Sequence, residues 1–519
     1  MISLRHGVRA FALLMMMALP LAAQQEPRGK KDYDKWCAGC HGDKGAGDGY
    51  AARFMLPAPR DFTKGVFKIR STASGQVPTE ADLRHIVDVG MPGSAMPAWK
   101  GKLDERARDD VVAYIETFSS FFPDTSAKAL TLGKAPGASD ASTADGRATF
   151  EKLECYKCHG QDARGDGTSA PTLKDDYGHP IRAADLTESW KFRGGSSVEQ
   201  IYARLRTGLD GTPMPSFSDA IENKLITDEQ LWHVAQYVHS LSGDEAPAVR
   251  EVVRARLVTA LPSGPADTTW RVAERQWVPL VGQIIVKPRW FAPTVDGVWV
   301  QALHDGKRLA MRMTWHDPSR SPAPAWDQWL QRVSTTLSDA DGALATQQGP
   351  DRLTVEFPPT RTTGMERPYF LQGSARRPVY AWAWSSAPDS SAEGTGAGLG
   401  HFTSRTGAPE VTHAASYTNG EWTVQFTRAI AVADSNILRF TPGEAIPIGF
   451  FIADGSNGED DVRGAVSTWY AIYLDVPTPK RVYIAPVLGT LLTAGLGMTV
   501  VASSRRRVRR DEHSKGRGE

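Results

Sequence analysis

Two copies of one five-residue pattern govern this 519-residue chain: Cys37-Ala38-Gly39-Cys40-His41 and Cys155-Tyr156-Lys157-Cys158-His159. They take up all four cysteines in the sequence, so the fold has no disulfide framework and no spare thiol. The spacing has a chemical reason. On a helix, positions i and i+3 share a face, so two thiols can reach the two vinyl groups of one haem. The adjoining histidine then comes under the iron. A zinc site or a redox dithiol also uses cysteine pairs, but either would have to recur with the same adjoining histidine. The pattern reads as the attachment signature of c-type haem. Cys37, Cys40, Cys155 and Cys158 would carry two haems, with His41 and His159 as iron ligands.

The copies stay in register downstream. Gly47-Asp48-Gly49 is matched by Gly165-Asp166-Gly167, and Met96 by Met214, each pair 118 positions apart like the two histidines. Each methionine lies 55 positions after its histidine. Met91 aligns with Leu209 and reads as packing, so Met96 and Met214 are the expected second iron ligands. A neutral thioether suits Fe(II) and raises the reduction potential. A closed six-coordinate iron favours electron transfer over binding a small molecule. His85, His179, His233 and His239 have no counterpart in the other copy and read as structural.

Each copy ends in an amphipathic helix, expected over Asp104 to Phe118 and Thr227 to Leu241. The two units, about 30–120 and 143–243, resemble class I cytochrome c domains in tandem. That resemblance implies an all-α fold with one haem edge exposed for electron exchange. The boundaries are set at 24–125 and 144–245. The stretch 126–143 between them is rich in Ala, Gly, Ser and Thr and is expected to be a flexible linker.

The ends suggest export and anchoring. Residues 1–23 have a basic start, an apolar run from Phe11 to Leu21 and small residues at Ala22-Ala23, as in a signal peptide. Residues 483–503 carry no charge over 21 positions, long enough for a transmembrane helix. A basic tail, 504–519, follows with Arg505-Arg506-Arg507 and Arg509-Arg510, which places it on the cytoplasmic side. Mean hydropathy of −0.35 excludes a polytopic membrane protein but allows one span. A net charge of +1 gives no nucleic-acid-binding surface.

Between 250 and 478 the texture changes. Eleven of the fifteen tryptophans fall here, among short alternating runs bounded by turn residues. The expected strands are Trp299 to Leu303, Arg308 to Trp315, Leu353 to Phe357, Val379 to Trp384, Glu421 to Phe426, Ile446 to Ile452 and Ser467 to Leu474. They suggest an antiparallel β-sandwich. Over about 265–476 the order of elements is similar to the haem-binding domain of ethylbenzene dehydrogenase-related, gamma-subunit proteins. The matching stretches are Val300-Gln301-Ala302-Leu303, Met313-Thr314-Trp315-His316-Asp317-Pro318, Val355-Glu356-Phe357-Pro358, Pro378-Val379-Tyr380-Ala381-Trp382-Ala383-Trp384 and Ser467-Thr468-Trp469-Tyr470. The resemblance implies a haem b between a Met near Tyr369 to Gly373 and a Lys near Arg463-Gly464-Ala465. Neither ligand stands at those positions. Met365, Met311, Met313, His304, His316, His401 and His413 remain as substitutes without a defined spacing. The region is therefore expected either to dock a partner or to hold an extra haem b.

These readings converge on a membrane-anchored dihaem c-type cytochrome. It would pass single electrons in a respiratory or periplasmic chain, alongside other redox proteins or subunits of a membrane oxidoreductase. Two alternatives stay open: a dihaem redox enzyme of peroxidase or sulfur-compound-oxidising type, and a sugar-binding protein with accessory cytochromes.

Overall fold

The structure is a computed structural model. It describes residues 26–122, 127–242, 246–337, 345–360, 367–407, 410–432, 434, 437–477 and 481–515. The expected signal segment 1–23 and Met365 lie outside the described residues.

The first repeat is helical. Helices α1 (Lys30–Trp36) and α2 (Ala38–His41) carry the cysteine motif, followed by α3 (Glu80–Val89) and α4 (Glu105–Glu116). A capping box between Thr79 and Asp82 starts α3, and Asp104 caps α4, satisfying N–H groups that a helix start leaves unpaired. The second repeat follows the same plan with α5 (Asp140–Lys152), α6 (Tyr156–His159), α7 (Val198–Thr207), α8 (Ser218–Glu222) and α9 (Asp228–Ser240). Both terminal helices thus form where apolar periodicity places them. In each repeat the first helix crosses the last at a glycine. A Cβ on Gly29 would lie 2.0 Å from the Asp110 carbonyl oxygen, and one on Gly146 2.0 Å from that of His233. The cores are Tyr33, Leu83, Val87, Val111 and Val112 in one repeat, and Phe150, Tyr202, Leu231, Trp232 and Val238 in the other.

The stretch expected to be a flexible linker is held at several points. Leu130 donates its N–H to the Ser71 carbonyl at 2.8 Å, and Gln236 donates to the Pro136 carbonyl at 2.9 Å. Leu132 and Ala135 pack on the second core, and residues from Asp140 onward already belong to α5. Small-residue composition hid these two apolar anchors.

The β-region holds β1 (Val252–Leu257), β2 (Gln276–Pro279), β3 (Val281–Gly282), β4 (Gly297–His304), β5 (Arg308–His316), β6 (Arg352–Phe357), β7 (Val379–Ser386), β8 (Asp389–Gly396), β9 (Phe402–Ser404), β10 (Val411–Thr418), β11 (Glu421–Ala429), β12 (Ala445–Ala453), β13 (Ala465–Val466) and β14 (Tyr470–Leu474), with one helix, α10 (Asp327–Thr336). Hydrogen bonding runs β10-β11-β5-β4-β1-β14-β12-β6-β7-β8-β9. Strand β12 is shared: Ala445 to Ile448 pair with β14, and Gly449 to Ala453 with β6. The path folds over there, so that Trp382 and Trp384 of β7 meet Phe426, Trp315 and Trp422 of the opposite face. The all-antiparallel expectation fails at β1, which runs parallel to both β4 and β14. The parallel pair β1 and β4 is joined through residues 258–296, ample room for the crossover that parallel strands need.

The three units are in contact. Leu56 of the first repeat and Ala170 of the second pack on one cluster with Trp290, Trp326 and Trp329 of the β-region. Arg164 pairs with Glu421 at 3.1 Å and Lys191 with Asp296 at 2.6 Å. Helix α11 (Arg481–Lys515) closes the chain. Its stretch Val482–Arg510 is long and apolar enough to cross a membrane, and none of its apolar window is buried against the protein.

Candidate haem sites

The cysteine motif is built the same way in both repeats. The His41 N–H donates to the Cys37 carbonyl, and that of His159 to Cys155, both at 2.9 Å. One helical turn therefore carries both thiols and the histidine. The chain then turns at Gly42 (φ 78°) and Gly160 (φ 82°), a left-handed backbone that suits glycine. The Gly-Asp-Gly stretches fold back over the motif. Gly47 and Gly165 donate to the carbonyls of His41 and His159 at 2.8 and 2.7 Å. Gly49 and Gly167 donate to those of Cys40 and Cys158 at 3.1 and 3.2 Å.

Each histidine is aimed by a backbone carbonyl. His41 Nδ1 lies 3.0 Å from the Arg60 oxygen, and His159 Nδ1 2.9 Å from that of Ala184. A carbonyl can only accept, so Nδ1 carries the proton and Nε2 keeps its lone pair for a metal. Burial pushes both imidazoles below their ordinary value, which favours the neutral form a ligand needs. Phe62 stacks on His41 at 4.4 Å. Burial also pushes the Cys37 and Cys155 thiols up to about 12. Neither orienting carbonyl was legible in the sequence. A carbonyl has no residue signature, and the spacing from histidine to carbonyl differs by six positions between the repeats.

The methionine loops also match atom for atom. Gly90 (φ 72°) and Gly208 (φ 67°) end α3 and α7. Met91 donates to the Met96 carbonyl at 3.0 Å, and Leu209 to the Met214 carbonyl at 3.1 Å. A hydroxyl braces each loop: Ser94 Oγ donates to the Met91 carbonyl and Thr212 Oγ1 to the Leu209 carbonyl, both at 2.7 Å. Met91 thus occupies the place of Leu209, and Met96 that of Met214. Met214 and Cys155 pack on the same apolar cluster, a setting that fits a haem between them. His159 and Met214 would hold such a haem, which would supply one-electron chemistry at its iron. Replacing Gly208 with Ala is expected to disturb this. The new Cβ would meet Ser216 N at 2.6 Å in a left-handed backbone, costing about 1–3 kcal/mol. Thermal melts should show the loss.

The substitutes for a third haem are scattered. Met311 and Met313 lie in the core of the β-region. His304 Nε2 bonds the Asp475 carbonyl, His316 faces Asp185 at 3.4 Å, and His413 bonds Ser391 and Asp389. His401 is exposed. Where the resemblance asks for a Met, Phe370 and Leu371 pack with Leu399, Phe451 and Val466. Where it asks for a Lys, Arg463 pairs with Asp460 at 2.8 Å. Packed side chains at the first place and an ion pair at the second give no support to a haem b there.

Comparison with known proteins bears on the repeats directly. Residues 24–115 match the family model of cytochrome c oxidase, cbb3-type, subunit III, and residues 143–242 match that of cytochrome c. The chain carries two cytochrome c-type domains in tandem. Two curated relatives match more broadly. One, from Haloferax mediterranei, is named as a respiratory nitrate reductase haem subunit. It is 25% identical over 256 residues, 49% of this chain and 83% of that protein. The other is the cbb3-type cytochrome c oxidase subunit CcoP of Rhodobacter capsulatus, 29% identical over 216 residues, 40% of this chain and 60% of that protein. A chain of the reducing HAO-like protein complex of Kuenenia stuttgartiensis is 42% identical, with a TM-score of 0.40, over 42% of this chain and 97% of its own.

The two cytochrome domains meet through their methionine loops. Asp210, in the second loop, pairs with Arg70 at 2.7 Å and accepts from Ser74 Oγ (2.9 Å) and Gly75 N–H (2.7 Å) of the first domain. Gly93, in the first loop, accepts from Arg193 of the second domain at 3.3 Å.

Proposed function

We propose that this chain is a membrane-anchored electron-transfer subunit with two haem c groups. One is held by Cys37, Cys40, His41 and Met96, the other by Cys155, Cys158, His159 and Met214. The observation that supports the reading is the matched pair of methionine loops, together with a histidine in each repeat whose Nδ1 is tied to a carbonyl. Two closed iron sites suit single-electron relay, and both methionine loops lie at the contact between the domains. Helix α11 would hold the chain in the cytoplasmic membrane. The bulk would then lie on the periplasmic side, with the basic tail in the cytoplasm. The relatives are named as subunits of nitrate reductase and of cbb3 oxidase, which supports partner subunits in a respiratory complex, with the β-region as a docking unit.

A pyridine haemochrome assay tests the cofactor content. The expected result is two haems c per chain and no haem b. A ratio of two haems c to one haem b would overturn the docking role. A high-spin spectrum, or cyanide binding to the native protein, would favour an enzyme instead.

A further inference from the structure

We infer that Asp317, Asp351 and Asp454 hold a divalent cation of the calcium class where the β-region meets the second cytochrome domain. Asp317 follows β5, Asp351 precedes β6 and Asp454 follows β12. One oxygen of each lies within 4.8 Å of the others, and all three residues are 0% exposed.

Most of the carboxylate oxygens here are served by donors. Asp351 accepts from Ser321 N–H (2.8 Å), Trp422 Nε1 (2.9 Å) and Gly455 N–H (3.0 Å). Asp454 accepts from Ser456 N–H (2.8 Å), Ser456 Oγ (2.7 Å) and Thr294 Oγ1 (2.5 Å). Donors of this kind favour the ionised form. Buried Glu459 adds a fourth carboxylate, accepting from Trp290, Thr294 and Asn457. The guanidinium of Arg182, from the second cytochrome domain, reaches in over Trp329 and donates to Thr294 Oγ1 at 2.7 Å. One guanidinium thus faces four buried carboxyl groups.

A separate observation points to a ligand. Asp317 Oδ1 takes the Ser319 N–H at 3.1 Å, but Oδ2 has no partner although the residue is wholly buried. Ser319 Oγ, in a residue 5% exposed, is also unpartnered. An orphaned oxygen on a carboxylate that faces two others is costly when nothing lies between them. Carboxylates gathered this closely away from water also repel one another once ionised. A dication among them would remove that repulsion. The donors are all oxygen, which suits a hard cation and not zinc or copper. Calcium–oxygen bonds of about 2.4 Å put ligands on opposite sides of an ion about 4.8 Å apart. The ion would tie three strand ends together beside Arg182.

The test uses the full haem-loaded chain in detergent. After passage over a chelating resin, metal analysis is expected to find one calcium per chain besides two irons. Tb³⁺ added to EGTA-treated protein should luminesce on indole excitation, since Trp422 touches Asp351. Asp317→Asn should lower calcium retention at least tenfold while keeping both haems. Should that variant fail to fold, the natural chain decides. Ca²⁺ at a hundredfold excess over its dissociation constant should raise the melting temperature by about 5–10 °C. Absence of both retained calcium and a melting shift at millimolar Ca²⁺ would overturn the inference. So would stoichiometric zinc in place of calcium, or undiminished Ca²⁺ binding by the variant.

Discussion

Replacing Met214 with Ala is expected to lower the potential of the second haem by on the order of 0.2 V, a quarter of the ~0.8 V that axial ligation commands. Met96→Ala should do the same to the first haem. The thioether stabilises Fe(II), so its loss favours Fe(III). The vacated position should also admit cyanide or carbon monoxide. Met91→Ala is the control. Met91 stands where Leu209 stands, and its N–H only closes the loop onto the Met96 carbonyl, so both potentials should hold. Redox titration of the three variants checks this. Unchanged potentials in Met96→Ala and Met214→Ala would refute the ligand assignment and leave haem attachment standing.

The second large effect is expected at the contact between the cytochrome domains. The Arg70 side chain is wholly buried and spreads over four acceptors: the carbonyls of Phe67 (3.2 Å), Ala73 (3.2 Å) and Thr207 (2.6 Å), and the Asp210 carboxylate (2.7 Å). Two of these belong to the other domain. Breaking a buried pair costs about 3–5 kcal/mol. Asp210 keeps Ser74 and Gly75 as donors and is 17% exposed, so Arg70→Ala should cost about 3 kcal/mol, at the lower end. Arg70→Lys should not rescue it, because an ammonium cannot reach a planar fan of acceptors. Denaturation should split into two transitions, and electron exchange between the haems should slow. A loss under about 1 kcal/mol, in the range of exposed pairs, would show that the contact does not hold the domains together.

How much was legible in the sequence follows from what each feature is made of. Haem attachment demands particular side chains at fixed spacing, so Cys37 to His41 and their copy stand out. The hairpin at His304 to Lys307 was legible because Gly306 turns with φ 86° between alternating strands. Strand β8, Asp-Ser-Ser-Ala-Glu-Gly-Thr-Gly, has no apolar alternation. It is a strand because β7 offers it a full row of backbone partners. The parallel course of β1 was hidden for a related reason, since its partners lie 47 and 219 positions along the chain. Asp317, Asp351 and Asp454 come together only because β5, β6 and β12 end at one corner. No local pattern announces that.

The position of β1 governs the order in which this protein can be completed. Strand β1 is the first of the sheet in the chain, yet it is flanked by β4 and β14. The last of these ends at Leu474, seven residues before α11 begins. Made from its N-terminus, the chain can finish both cytochrome domains, with their local helix contacts, long before the sheet has its central seam. The β-region closes only when nearly everything ahead of the final helix has emerged. Folding of the helical repeats can thereby precede closure of the sheet, as a consequence of strand order.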